Sequence, residues 1–410
     1  MRMAGYGSTK RIDFALLTTV LLLIVFGLVA LYSATYITES PASQLKFTKQ
    51  LLWVVLGFFV LLTSAMVPLK TFHKYAYLIY AISVLLLAIV LIVGTGPGSR
   101  RWIALGPLSL QPAELAKVAT LLALAKYLSH DSRNFDNLKD ILVPFAVISL
   151  PLLLIMNQPD LGSALVFLAL SLPVLHWAGL PGVVLFVLLA PVLSFFSAFS
   201  YYSFLIAMIL IVSVLFLMRR GTFFFLVNFA LNVGVGVLTP ILWHLLKDYQ
   251  KNRILTFLGM VTDPHGLGYQ VIQSKVAIGS GGLLGKGFLA GTQTHLRFLP
   301  EQHTDFIFCV VGEEFGFLGG MLILALFLYL IFKSLNLAAV VKSRFASILV
   351  FGVTVIFLFQ VFVNIGMTMG IMPVTGLPLP FLSYGGSALI ANLMLVGFLL
   401  NASRTRFEYT

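Results

Sequence analysis

Residues 14–34 read FALLTTVLLLIVFGLVALYSA, an uncharged apolar run about as long as the ~20 helical residues that cross the hydrocarbon core of a bilayer. The run is continuous rather than alternating, which argues against a barrel strand. In lipid it can satisfy its own backbone polar groups only as a helix. Arg2, Lys10 and Arg11 precede it, and it is longer than a signal-peptide core, so it is expected to stay as an anchor. Similar runs at 49–67, 74–94, 112–128, 141–156, 162–178, 181–199, 201–218, 222–246, 306–332, 345–370 and 381–402 predict an all-α fold: a polytopic transmembrane helix bundle of about 10–12 helices. The count turns on 181–218, which reads either as two spans or as one long helix with an interfacial piece.

Composition agrees. A chain of 410 residues that is 60% hydrophobic and 10% charged, with mean hydropathy +1.02, has too little polar surface to coat a water-soluble globule. The net charge of +12 does not indicate nucleic acid, because the basic residues form no single run and the aromatics lie in apolar segments; anionic lipid is the expected partner surface. Cys309 is the one cysteine, which excludes an intrachain disulfide and a multi-cysteine metal site.

Orientation follows from Lys and Arg in the short connections. Lys70 and Lys74, Arg133 and Lys139, Arg219 and Arg220, Lys342 and Arg344, and Arg404 and Arg406 share the side of the basic N-terminus, which predicts that both termini are cytoplasmic. The one long connection, 247–304, then faces outward. With no internal repeat and no linker, residues 1–410 read as a single membrane domain carrying that extracytoplasmic loop.

Within the loop, basic residues (Lys247, Lys251, Arg253, Lys275, Lys286, Arg297) outnumber acidic ones (Asp248, Asp263, Glu301), which favours an anionic ligand. Amphipathic stretches at 254–260 and 271–278 suit a membrane surface, and hence a ligand with a charged head and a lipid tail. Glycines at 266, 268, 279, 281, 282, 285, 287 and 291 would let backbone approach a phosphate or sugar, or simply make turns. GSGGLLGKGF (279–288) lacks the hydroxyl residue after lysine that a Walker A loop needs. No HExxH or GxSxG sequence is present, so neither a zinc site nor a serine elbow is indicated.

Asp263, in TDPHGLGYQ (262–270), reads either as a turn cap or as a general base in a cleft at the membrane surface. Charges inside apolar spans are costly and therefore informative: Glu114 with Lys117, and Glu313 with Glu314. Glu114 and Lys117 are three apart on one helix and can pair, for structure or for function. Glu314 reads as a packing or interfacial carboxylate.

Several stretches together carry a resemblance: RRWIALGPLSLQPAELAK (100–117), NQPDLGSALV (157–166), DYQKNRI (248–254), DPHGLGYQVIQSKVAIGSGGLLGKGFLAGTQ (263–293), FLPEQHTDFIF (298–308), GEEFGFLGG (312–320) and FVNIGMTMGIMPVTGLPLPFLSYGGSALI (362–390). The chain resembles the SEDS family, the shape, elongation, division and sporulation proteins, over roughly 13–402. Residues 273–293 are more similar to the elongation branch, RodA, than to the division branch. The resemblance implies a peptidoglycan glycosyltransferase that polymerises lipid II at the outer face of the bacterial cytoplasmic membrane, for cell elongation and rod shape, beside a class B penicillin-binding protein that crosslinks the product. It puts the catalytic aspartate on Asp263 and the family's intramembrane Glu and Lys on Glu114 and Lys117. Two departures stand out: Gly259 lies where the family commonly has an upstream aspartate, and 181–246 holds three apolar spans where one is usual.

The chemistry then expected has Asp263 deprotonate the acceptor sugar's 4-hydroxyl as it attacks a second lipid-linked sugar, with undecaprenyl pyrophosphate leaving. That leaving group needs charge neutralisation rather than a general acid. Arg100, Arg101, Lys275 and Lys286 are the expected phosphate ligands, Glu114 and Lys117 would orient loop or donor, and a divalent cation, Mg²⁺ or Mn²⁺, bridging the pyrophosphate is compatible with this scheme. Two other readings stay open on residues alone: a flippase or transporter of the lipid-linked precursor, and a non-catalytic scaffold for cell-wall enzymes.

Overall fold

The computed structural model describes residues 13–36, 41–95, 100–106, 108–130, 135, 137–245, 248–257, 267–292 and 302–406. These residues form α1 (Phe14–Tyr36), α2 (Pro41–Met66), α3 (Leu69–Val93), β1 (Ile103–Leu105), β2 (Leu108–Leu110), α4 (Pro112–Leu128), α5 (Leu138–Asn157), α6 (Leu161–Trp177), α7 (Gly182–Ser197), α8 (Tyr201–Leu217), α9 (Thr222–Leu245), α10 (Asp248–Phe257), α11 (Leu267–Ser280), α12 (Ile307–Val340), α13 (Arg344–Thr368) and α14 (Gly386–Arg404). Each expected span corresponds to one helix, and eight of the helices are long and apolar enough to cross a membrane. The protein is a multi-pass membrane protein of the all-α class. The amphipathic parts of the long loop form α10 and α11. The antiparallel hairpin β1–β2, pairing Ile103 with Leu110, was not expected from the sequence.

The chain divides into two compact units, Met1–Ala178 with Asp263–Thr410, and Gly179–Thr262. In the first, α4 is interior: of its seventeen residues only Leu115 and Lys126 are not buried. A helix enclosed by protein on every side need not be apolar on every side, and this is why its first turns can carry charge. By contrast α2 and α3 expose Val55, Phe59 and Ile92 by 68%, 68% and 77%, as lipid-facing helices do. The α2–α14 contact is close. Trp53 covers Gly386, Ser64 meets Gly397, and Asn401 Nδ2 donates to the carbonyls of Ser64 (2.9 Å) and Val67 (2.6 Å).

The last span starts later than expected, at Gly386 rather than 381. Pro373, Pro378 and Pro380 keep the preceding run out of a helix, Phe381 then takes a left-handed φ of 65°, and side chains tie the segment down. Asn364 Nδ2 donates to Leu377 O (2.7 Å) and Asp305 O (2.9 Å), and Ser383 Oγ donates to Thr304 O (2.6 Å).

In the second unit α7 and α8 are separate helices of 16 and 17 residues, not one long helix. Ala190, Ile211 and Leu215 form its core with Phe186, Met208, Phe224 and Phe225 against them. One polar tie, Ser194 Oγ to Asn232 Oδ1 at 2.8 Å, joins α7 to α9.

Candidate functional site

One end of the first unit is polar. Here α1, α3, α5 and α13 finish and α2, α4, α6, α12 and α14 begin, so unpaired carbonyls and amides of many helices converge. Side chains take up a large share of them. Arg100 donates to Leu91 O (3.3 Å) and Ile92 O (3.4 Å) at the end of α3. Arg101 donates to Gln158 O (3.0 Å) and to Pro159 O at the end of α5. A guanidinium at a helix C-terminus meets both the orphan carbonyls and the negative end of the dipole. Asp160 caps α6, accepting from Ser163 N (3.1 Å) and Ser163 Oγ (2.9 Å), and its other contact is Gln111 Nε2 at 2.8 Å. Gln111 N in turn donates to Ser387 Oγ (2.9 Å), which joins α4, α6 and α14 at their first residues.

Just inside this layer lies the Glu114–Lys117 pair, Oε2 to Nζ 2.7 Å, with side chains 3% and 4% exposed. The sequence spacing puts both on one face of α4, and the first-turn position sets Glu114 at the positive end of the helix dipole. Among the described residues neither of these two atoms has a further hydrogen-bond partner.

His303, just before α12, sits at the same end. Its Nε2 is 2.9 Å from Lys46 Nζ, and its carbonyl accepts from Tyr384 N (2.9 Å). Burial, and then the neighbouring Lys46 charge, push the imidazole down to about 4, so the ring is neutral and accepts from the ammonium.

Lys275 lies on the exposed face of α11, with its chain end over Gly370 at the end of α13, and makes no hydrogen bond or ion pair among the described residues. Lys286 does not point free: its Nζ is 2.8 Å from Glu313 Oε1 and 2.8 Å from Thr292 Oγ1. Asp263 lies outside the described residues, four positions before the first residue of α11. Glu314 is a packing carboxylate, accepting from Ser33 Oγ of α1.

The structure therefore joins Glu114 to Lys117, and ties Arg100, Arg101 and Lys286 to protein groups. Sequence reasoning singled out Glu313 but not its pairing with Lys286, and it missed the Lys46–His303 contact; nothing in their local sequence signals a partner more than 200 residues away or across a helix break. Asp160 was readable in principle, since Asp followed three residues later by Ser at a helix start is a capping pattern. Among the described residues no group of three or more His, Cys, Asp or Glu could hold a metal ion.

The family model for FtsW, RodA and SpoVE, described as a cell cycle protein, matches residues 14–208 and 199–408. The chain is 37% identical over 381 residues to the peptidoglycan glycosyltransferase MrdB of Escherichia coli K12, covering 92% of this chain and 90% of that one. It is 34% identical over 420 residues to the peptidoglycan glycosyltransferase RodA of Treponema pallidum, covering 95% and 96%. A solved structure of a peptidoglycan synthase complex that coordinates polymerization and crosslinking contains a chain similar to this one with TM-score 0.71 and 33% identity, covering 97% and 99%.

Proposed function

The chain belongs to the FtsW/RodA/SpoVE family, the SEDS proteins, and from that premise we propose that it is a peptidoglycan glycosyltransferase of the elongation type, polymerising lipid II at the outer face of the bacterial cytoplasmic membrane. The observation that carries the reading is likeness along nearly the whole chain to proteins named for that activity. The distribution of Lys and Arg supports taking the polar end of the first unit as the outward one, the side on which this reading needs Asp263 and α11.

Asp263 is the base. Its carboxylate takes the proton of the acceptor sugar's 4-hydroxyl as the oxygen bonds to the anomeric carbon of the second sugar; the bond from that carbon to the pyrophosphate oxygen breaks, and undecaprenyl pyrophosphate leaves as an anion. Lys275 is the cation best presented to that anion, being exposed on an amphipathic helix with no protein partner to give up among the described residues. Arg100, Arg101 and Lys286 would reach phosphate only by releasing the carbonyls or carboxylate they hold. Glu114 and Lys117 orient the loop or the donor from beneath. A divalent cation would supply further charge neutralisation beside Asp263.

A class B penicillin-binding protein is the proposed partner, supported by the synthase complex that contains a similar chain. The test is glycan polymerisation from purified lipid II by wild type and Asp263→Ala, with and without such a partner whose crosslinking is blocked. Polymer from wild type and none from a folded mutant is expected; polymer from both removes Asp263 as the base, and polymer from neither, even with the partner, removes the glycosyltransferase reading.

A further inference from the structure

α12 is broken at Gly316 (φ 64°, ψ −160°), and a turn from the loop is sewn into the break. In a continuous helix Phe317 N–H would pair with Glu313 C=O and Leu318 N–H with Glu314 C=O. Instead Phe317 N donates to Gly282 O (2.9 Å) and Leu318 N to Leu283 O (3.2 Å), while Glu313 O accepts from Lys286 N (3.0 Å) and Glu314 O from Gly287 N (3.0 Å). These four backbone groups, which the break frees, are all satisfied, as membrane depth demands. The fit leaves no room for side chains: a Cβ on Gly285 (φ 81°) would strike the Glu314 carbonyl, and one on Gly316 the Gly285 amide nitrogen. The two carboxylates at the break then splay apart. Glu314 accepts from Ser33 of α1, while Glu313, fully buried, holds Lys286 and, at 3.2 Å, Thr292.

The turn directly continues α11, whose other end continues the chain from Asp263. We propose that the Lys286–Glu313–Thr292 latch is a positioning device for glycosyl transfer: it fixes α11 against the broken helix and so sets where the chain before α11 presents its carboxylate. Lys286 serves here through Glu313 and not as a ligand of the substrate. The proposal rests on Asp263 as the base, and it assigns the glycine-rich turn a mechanical part that its sequence, read as a phosphate cradle, does not suggest.

The experiment uses the full chain with its crosslinking partner and lipid II, measuring maximal rate and half-saturating lipid II separately for Glu313→Gln, Lys286→Met, their double variant and Lys286→Arg. Each single neutral variant is expected to lower the maximal rate ten-fold or more while half-saturation moves less than two-fold. The double is expected to be no slower than the slower single, and Lys286→Arg, which keeps the charged contact, to regain most of the rate. A spin label at Ile272→Cys, on the exposed face of α11, is expected to become more mobile in the neutral variants; native Cys309 is buried. Half-saturation rising at unchanged maximal rate would make Lys286 a substrate ligand and overturn the proposal, as would lost rate with unchanged label mobility, or no loss of rate. Asp263→Ala is run alongside: if it stays active the base assignment fails, while the label still reports whether the latch holds α11.

Discussion

Replacing one member of the Glu114–Lys117 pair should cost more than replacing both, and the two single replacements should not cost the same. The side chains are almost wholly enclosed, and each charge has the other at 2.7 Å. At an effective dielectric constant of about 20, two unit charges at that separation attract by roughly 6 kcal/mol, most of which offsets the cost of removing them from water. Lys117→Met therefore strands a carboxylate, and Glu114→Gln strands an ammonium group. Removing one partner of such a buried pair costs about 3–5 kcal/mol. The helix dipole then separates the two variants. Glu114 stands in the first turn of α4, where a negative charge is stabilised and a positive one is not, by about 0.5–1 kcal/mol each way. Lys117→Met is expected to destabilise by about 3 kcal/mol, Glu114→Gln by about 4 kcal/mol, and the double variant by about 1 kcal/mol or less. Thermal unfolding of the detergent-solubilised protein, followed by tryptophan fluorescence, gives the comparison. Single variants as stable as the double would refute the argument that α4 encloses an ion pair, and Lys117→Met costing more than Glu114→Gln would refute the dipole term.

Other expectations follow from single contacts. His303, held neutral down to about pH 4 against an ordinary value of 6.5, should make stability fall with pH: above 6.5 neither state binds the proton, and between 6.5 and 4 the unfolded chain gains it while the folded one does not. Stability present above pH 6.5 is lost progressively down to pH 4, by about 2–3 kcal/mol, and His303→Gln should flatten that part of the stability–pH curve. Gly316→Ala puts a Cβ into the backbone of the inserted turn at positive φ, so a loss of about 3 kcal/mol or more, with exposure of the 281–287 turn to limited proteolysis, is expected; an unchanged melting midpoint counts against the sewn-in turn. Arg101→Met should remove about 1–3 kcal/mol of stability by uncapping α5, with half-saturating lipid II nearly unchanged; a large rise in half-saturation would restore Arg101 as a phosphate ligand.

How much of this could be read from the chain differs by feature. The spans were legible because crossing a bilayer demands length and apolarity, and both are visible in any window. Their ends were less so. The last helix starts at Gly386 rather than 381 because Phe381 takes a left-handed φ of 65°, yet Phe381 and Leu382 are apolar and look like the start of a span. The Glu114–Lys117 pairing followed from helical spacing alone. Lys286 did not, since its partner Glu313 is brought to it only by a break in α12 at Gly316, and a glycine among four in GEEFGFLGG gives no sign that it, rather than its neighbours, takes positive φ. An Arg-Arg pair at an outward loop has two uses, as ligand groups or as helix caps, and the sequence does not show that the C-termini of α3 and α5 lie within reach of Arg100 and Arg101.

The engagement of these cations also narrows how an anion can be met. A pyrophosphate arriving at the polar end finds Arg100 and Arg101 holding carbonyls of α3 and α5, Lys286 holding Glu313, and Lys46 donating to a neutral His303. Taking any of them strands a helix end, a buried carboxylate or a buried imidazole, each at a cost of about 1–3 kcal/mol, which would be subtracted from binding. Lys275 has no such debt among the described residues, and α11 holds it a few turns along from the chain that carries Asp263. The proposed base thus precedes in sequence the helix that carries this cation, and that helix runs on into the turn sewn into α12. On this arrangement Lys275→Met should raise half-saturating lipid II about ten-fold while leaving the melting midpoint within a degree or two, since a charge-assisted phosphate contact is worth roughly 1.5 kcal/mol and no protein contact is lost with it. An unchanged half-saturation would mean that the anion is met by a cation that first lets go of the protein.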